Sequence, residues 1–260
     1  MATAVDQSGF FDWLQRIGDN ALVLGHRVSE WCGHSPVLEE DIALANQALD
    51  LIGQCQLWLG LAGEVEGKGR SADDLAYLRD AADFRNVLLV ERPNGDFGHT
   101  LMRQFLFDAF HINLLRALKT STDKRVADIA AKAEKEVAYH LERSADLIIR
   151  LGDGTAESHR RMEKALKALW PYTGEMFTDD AVDAAMAEAG IAPLPSSLRA
   201  AWEGTVKAVL SEATLSYPDT VWQHGITGAG GGKKGVHSEH LGFILAEMQF
   251  LQRAYPGAIW

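Results

Sequence analysis

The stretch Phe105-Leu106-Phe107-Asp108-Ala109-Phe110-His111-Ile112 decides how this chain folds. Its apolar side chains run right round a helix instead of along one stripe, which predicts a helix over 97–119 that is buried on every side. Within it Asp108 and His111 stand three positions apart, on one face, where two side chains can grip one metal together. Carboxylate-x-x-His is a unit that di-iron helical bundles use twice, with two further carboxylates from other helices. One half of such a site is legible here, and the other half has to come from elsewhere in the chain.

No second copy of the unit stands out. Asp96-Phe97-Gly98-His99 has the spacing but directly follows the turn-like Pro93-Asn94-Gly95, and Asp96 reads as a helix N-cap. Glu136 and His140 share a face but are four apart, outside the ligand spacing. His237-Ser238-Glu239-His240 puts two imidazoles on one turn, at a loop-to-helix junction. Of the polar residues near the inward face of 37–64, namely Asp41, Asn46 and Asp50, only Asp50 lies mid-helix and suits a ligand. Glu163 and Glu175, in the segment 156–177, have no histidine at the third position. Two open-coordinated metals need about six protein ligands. The set falls short, so Asp108, His111, Glu136 and His140 are expected to form a buried, hydrogen-bonded or ion-paired cluster, with Lys132 or Arg143 placing positive charge where metal would otherwise sit. The competing reading is a self-sufficient di-iron oxygenase or oxidase with an atypical ligand set.

Composition narrows the class. A length of 260 residues with 47% hydrophobic and 23% charged residues fits a soluble globule with a sizeable core and excludes disordered and collagen-like chains. The formal charge of −11 disfavours nucleic acid and membrane surfaces, both of which select dense Lys/Arg patches. Cys32 and Cys55 are too few and too unpatterned for a disulfide framework or a structural zinc site, which points to a reducing compartment and cytoplasmic residence. Neither a leader segment at the N-terminus nor a membrane-length apolar run is apparent.

Apolar spacings of three and four recur throughout, so the chain is predicted to be all-α. Helices are expected near 10–31, 37–64, 72–91, 97–119, 124–151, 156–177, 179–189, 197–216 and 238–254, in a single domain over 1–260 with a disordered tail over 1–9. Ser35-Pro36, Ser71 with Asp74, Thr178-Asp179-Asp180 and Ser196 or Ser197 supply start signals. Long helices on short loops imply an antiparallel bundle. The glycine-rich stretch Gly225 to Gly235 does not fit a P-loop, because Thr227 occupies the first glycine's place and Lys234 that of the hydroxyl residue. It reads as a flexible loop, or as a place where Lys233 and Lys234 contact a partner chain or ligand phosphates. The tryptophans, Trp13, Trp31, Trp58, Trp170 and Trp222 among them, are expected to pack in the core, with Trp202 on the amphipathic segment 197–216 also able to meet a partner.

Four longer strings carry more specific information: Leu22 to His34 (LVLGHRVSEWCGH), Asn86 to Phe97 (NVLLVERPNGDF), Gly231 to Gly242 (GGKKGVHSEHLG) and Leu245 to Arg253 (LAEMQFLQR). They resemble the C subunits of the bacterial ring-1,2-phenylacetyl-CoA epoxidases, and the resemblance runs from about residue 12 to Trp260. It implies a ferritin-like helical bundle that pairs with the homologous catalytic A subunit, which carries the di-iron centre. The multicomponent, NADPH-dependent monooxygenase also includes a small B subunit and a reductase with flavin and iron–sulfur groups, and it epoxidises the ring of phenylacetyl-CoA in aerobic phenylacetate breakdown. The resemblance implies a structural, non-catalytic role for this chain, with no cofactor of its own and no activity alone. On that reading Asp50, Asp108, His111, Glu136 and His140 are a degenerate remnant, no catalytic residue carries over, and the assembly is a hetero-oligomer, with homodimerisation left open.

Overall fold

The computed structural model describes residues 6–219 and 231–258, and all regular secondary structure among them is helical, as the periodicity predicts. The helices are α1 (Gln7–Ser29), α2 (Leu38–Glu66), α3 (Ala72–Tyr77), α4 (Phe97–Leu118), α5 (Lys124–Gly152), α6 (Ala156–Leu169), α7 (Ala181–Glu188), α8 (Arg199–Glu212), α9 (Glu239–Met248) and α10 (Phe250–Ala254). They cluster into two compact units, one from residues 1–93 and 225–260, the other from 94–224. None of the helices among the described residues is long and apolar enough to cross a membrane.

Helix starts follow local chemistry. Asp96 caps α4 by accepting from the His99 N–H at 2.9 Å, Ser71 and Asp74 form a capping box on α3, and Asp180 with Asp183 does the same on α7. Asp6 accepts from the Ser8 N–H, so the chain is helical from Gln7, and the tail expected over 1–9 is cut short; residues 1–5 lie outside the described residues. Ser35 does not cap α2, whose N-cap is Val37 with no side-chain bond.

In the first unit, α1 and α2 pair antiparallel. Gly18 lies against Trp58 and Leu59, and Gly25 against Ala48, Leu51 and Ile52. A Cβ on Gly18 would sit 2.6 Å from Leu59 Cδ2, so the Leu59 side chain would have to shift to admit one where the helices approach. α1 is buried on nearly every side, Asp19 and Asn20 included. These two residues explain why the helix expected over 72–91 stops at Tyr77. The Arg79 guanidinium pairs with Asp19, stacks 4.3 Å over the Phe84 ring and donates to the Leu75 and Asp83 carbonyls. Beyond a short 3₁₀ turn at Ala81–Asp83, the Arg85 N–H donates to Asp19 and the Val87 N–H to Asn20, both at 2.8 Å. Backbone donors that a helix would satisfy internally are met by α1 side chains instead.

The C-terminal segment is fastened to the same loop. Glu91, fully buried, accepts from the Ser238 N–H at 2.7 Å and from Asn86 Nδ2 at 3.2 Å, while its carboxylate faces His237 Nδ1 at 3.0 Å. The other ring nitrogen faces the Phe84 carbonyl at 3.0 Å. His237 thus bridges the Glu91 carboxyl and the Phe84 carbonyl, one ring nitrogen facing each. Gly231 and Gly235 take φ of 72° and 76°, and a Cβ on Gly232 would fall 1.9 Å from the Asn86 carbonyl oxygen. Residues 231–235 are thus a tightly seated turn and not a flexible loop; residues 225–230 and Trp222 lie outside the described residues.

In the second unit α4 is the buried axis, and α5, α6 and α8 cover it. The helix expected over 156–177 ends at Leu169 because Pro171 lacks an N–H and clashes with the preceding turn, and 3₁₀ turns at Trp170–Tyr172 and Gly174–Phe177 follow. α8 begins at Arg199, two residues after the expected start, behind a 3₁₀ turn at Pro195–Leu198.

The seated turn yields a stability prediction. Gly232→Ala should destabilise the chain by roughly 1–3 kcal/mol through overpacking against backbone, whereas Gly60→Ala, whose Cβ meets nothing in α2, should stabilise it by about 0.5–1 kcal/mol. Thermal melts of the two variants check the pair; equal and small effects would mean that the turn is not closely packed.

Candidate functional site

α4 places Gln104, Asp108 and His111 on one face at spacings of four and three, and α5 places His140 and Ser144, four apart, in the same buried region. All five side chains are at most 2% exposed. Asp108 accepts from Gln104 Nε2 at 2.7 Å and from Ser144 Oγ at 3.4 Å. Burial pushes its carboxyl up to about 7, against the lowering effects of His140, the hydrogen bonds from Gln104 and Ser144, and the charge of Arg143. His111 packs 5.2 Å from the Phe107 ring, and neither ring nitrogen has a hydrogen-bond partner. Burial lowers its pKa to about 3, with His140 acting in the same direction. His111 is therefore a neutral imidazole at ordinary pH.

The structure brings together three of the residues singled out in sequence, Asp108, His111 and His140. Glu136 is only half-buried on α5, Lys132 is exposed, and Asp50 is half-buried on α2 of the other unit. Of the two cations considered for the cluster, Arg143 is the one whose charge reaches Asp108. The expected mutual hydrogen bonding of Asp108 with His111 is replaced by bonds from Gln104 and Ser144. Sequence reasoning missed both, although Gln104 is one turn before Asp108 and Ser144 one turn after His140. It also missed the buried pairs Asp19 with Arg79 and Glu91 with His237.

The donor set does not fit a di-iron centre. Asp108 is the cluster's one buried carboxylate and already holds an amide and a hydroxyl. Among the described residues no group of three His, Cys, Asp or Glu side chains is placed to hold a metal ion.

Trp202 belongs to the core. It is fully buried, its Nε1 donates to the Leu106 carbonyl at 2.9 Å, and it packs against Trp170 and Phe177 at 5.5 and 5.1 Å, so it is not presented to a partner. Lys233 is buried and Lys234 exposed, on the seated turn.

The family model described as phenylacetic acid catabolic protein matches residues 1–260. The chain belongs to this family. It is also similar to the C subunit of the 1,2-phenylacetyl-CoA epoxidase of Escherichia coli (strain K12), with 50% identity over 245 residues that cover 94% of this chain and 96% of that protein. The likeness first read from four strings thus extends over nearly the whole of both chains.

In this family member the α4 cluster makes stability depend on pH in two opposed ways. The carboxyl of Asp108 titrates near 7 when folded and near its ordinary 3.8 when unfolded, so its contribution to stability is full below about pH 4 and lost as pH rises through 7. For His111, at about 3 folded and 6.5 unfolded, the contribution is full above 6.5 and lost as pH falls towards 3. Asp108→Asn removes the first effect alone. The variant should match the parent near pH 4 and exceed it at pH 8 by on the order of 4 kcal/mol. Denaturant unfolding at the two pH values measures this, and a stability gap that ignores pH would show that Asp108 is not held near neutrality.

Proposed function

We propose that the chain is the C subunit of a multicomponent phenylacetyl-CoA 1,2-epoxidase of aerobic phenylacetate breakdown, and that its part is structural. The observation that carries this reading is the 50% identity to the Escherichia coli C subunit along 94% of the chain. The catalytic partner is a homologous oxygenase chain, which holds the di-iron centre, and a further small chain and a flavin and iron–sulfur reductase complete a cytoplasmic assembly. The buried α4 cluster supports the division of labour. It offers one carboxylate, held by Gln104 and Ser144, and a neutral imidazole with both nitrogens unpartnered, a set suited to fixing helix register and not to binding two irons.

The reading is tested by metal analysis and light scattering on the chain expressed alone and co-expressed with its oxygenase homologue. Alone, it should be folded, free of iron and inactive towards phenylacetyl-CoA; co-expressed, it should co-purify in a complex that contains iron and epoxidises that substrate. About two irons per lone chain, with oxygen consumption on reduction, would overturn the structural role and return the self-sufficient oxygenase.

A further inference from the structure

α2 carries two apolar seams. The inner one, Leu44, Ala48, Leu51, Cys55, Trp58, Ala62 and Val65, repeats at spacings of four and three and is buried in its own unit. The outer one, Leu38, Ile42, Ala45, Leu49 and Ile52, repeats in the same way. Its large side chains are exposed, Leu38 to 70%, Ile42 to 53% and Leu49 to 67%. Alternating steps of four and three are the spacing by which one helix interlocks with another along a shared axis. From Leu38 to Ile52 the outer seam runs about 21 Å along α2, long enough for three turns of a facing helix. An isolated exposed leucine needs no explanation, but a continuous ridge of them marks a contact surface.

Charge selects the occupant. α2 contains Glu39, Glu40, Asp41, Asp50, Glu64 and Glu66 and no lysine or arginine, and three of these acids, Glu39, Asp41 and Asp50, flank the outer seam. A second copy of this chain docked through the same ridge would bring the two acidic rims together, which opposes self-association. Gly53 adds a further sign. It sits on α2 one turn after Leu49, a Cβ there would meet nothing within the chain, and a mid-helix glycine costs stability with no internal packing reason. Close approach of a foreign helix would supply one.

We propose that the outer seam of α2 is a docking surface for one α-helix of a different protein chain, a helix with its own apolar ridge bordered by Lys and Arg. The assignment rests on the proposed function, under which that chain is the homologous oxygenase. Leu38, Ile42, Leu49 and Ile52 supply the buried contact. Glu39, Asp41 and Asp50, on the flanks of the seam, supply the electrostatic rim that sets register and speeds association.

The test uses the full chain, its oxygenase homologue and the double variant Ile42→Lys/Leu49→Lys, which puts positive charge where the partner's basic rim would face. The variant alone should keep the parent's circular dichroism and melting temperature, because both side chains are exposed, while its affinity for the oxygenase chain should fall by about 100-fold or more. Glu39→Lys should weaken binding less and flatten its salt dependence. If the parent binds the oxygenase chain and the double variant binds it equally well, the surface assignment is wrong and the proposed function stands. A parent that never binds the oxygenase chain removes the proposed function and the docking inference together. If instead the lone parent is a dimer by light scattering, the double variant a monomer, and oxygenase binding unchanged, the seam joins two copies and the inference is overturned.

Discussion

Two helices in this chain, α1 in one unit and α4 in the other, are buried on nearly every side, and the remaining elements of each unit are arranged to cover them. A helix can accept that burial because its backbone is satisfied internally, but every polar side chain it carries must find a partner within the protein or be held neutral. The two helices solve the problem differently. α1 buries Asp19 charged against Arg79, and lends Asp19 and Asn20 to the backbone of the loop that follows α3. α4 buries Asp108 with hydrogen bonds from Gln104 and Ser144 and His111 with no hydrogen bond, and burial outweighs the nearby charges and drives both towards their uncharged forms.

This difference accounts for what each site can do. In the first unit the Asp19 and Arg79 charges are mutually compensated, and Glu91 with His237 fastens the segment after residue 231 to the same loop. Removing one member of such a pair leaves a buried charge alone, the expensive outcome, while replacing both by apolar residues need not be. In the second unit there is little to compensate. A carboxyl that titrates near neutrality would suit proton transfer in an open cleft, but here it lies sealed in a helix interface among aromatic and aliphatic side chains.

The parts of the fold governed by neighbours in sequence were legible. Asp96, Ser71 with Asp74 and Asp180 mark helix ends because caps are local chemistry. The run Val87 to Val90 was not, since its apolar residues look helical, whereas the chain leading into it is held by Asp19 and Asn20 more than sixty positions away and the run itself closes into turns. Pro171 was a readable stop that the amphipathic spacing around it masked. For the cluster, Asp108, His111 and His140 announced themselves by type and spacing. Their true partners Gln104 and Ser144 are unremarkable residues whose role emerges only when α4 and α5 meet. The glycine-rich stretch misled because glycine serves both freedom and tight approach, and at Gly232 it serves the second.

We infer that the α4 cluster is a polar element of the core in which His111 stays neutral, and that it does not serve as a metal centre. Nitrogen-15 spectra of histidine-labelled full chain test it most directly, followed for His111 from pH 8 to pH 5 and again after addition of zinc as a diamagnetic probe. His111 should remain a neutral imidazole throughout, consistent with its folded pKa near 3, and should not respond to the metal. A His111 resonance that titrates near 6.5, or one that moves together with His140 on adding stoichiometric zinc, would contradict it.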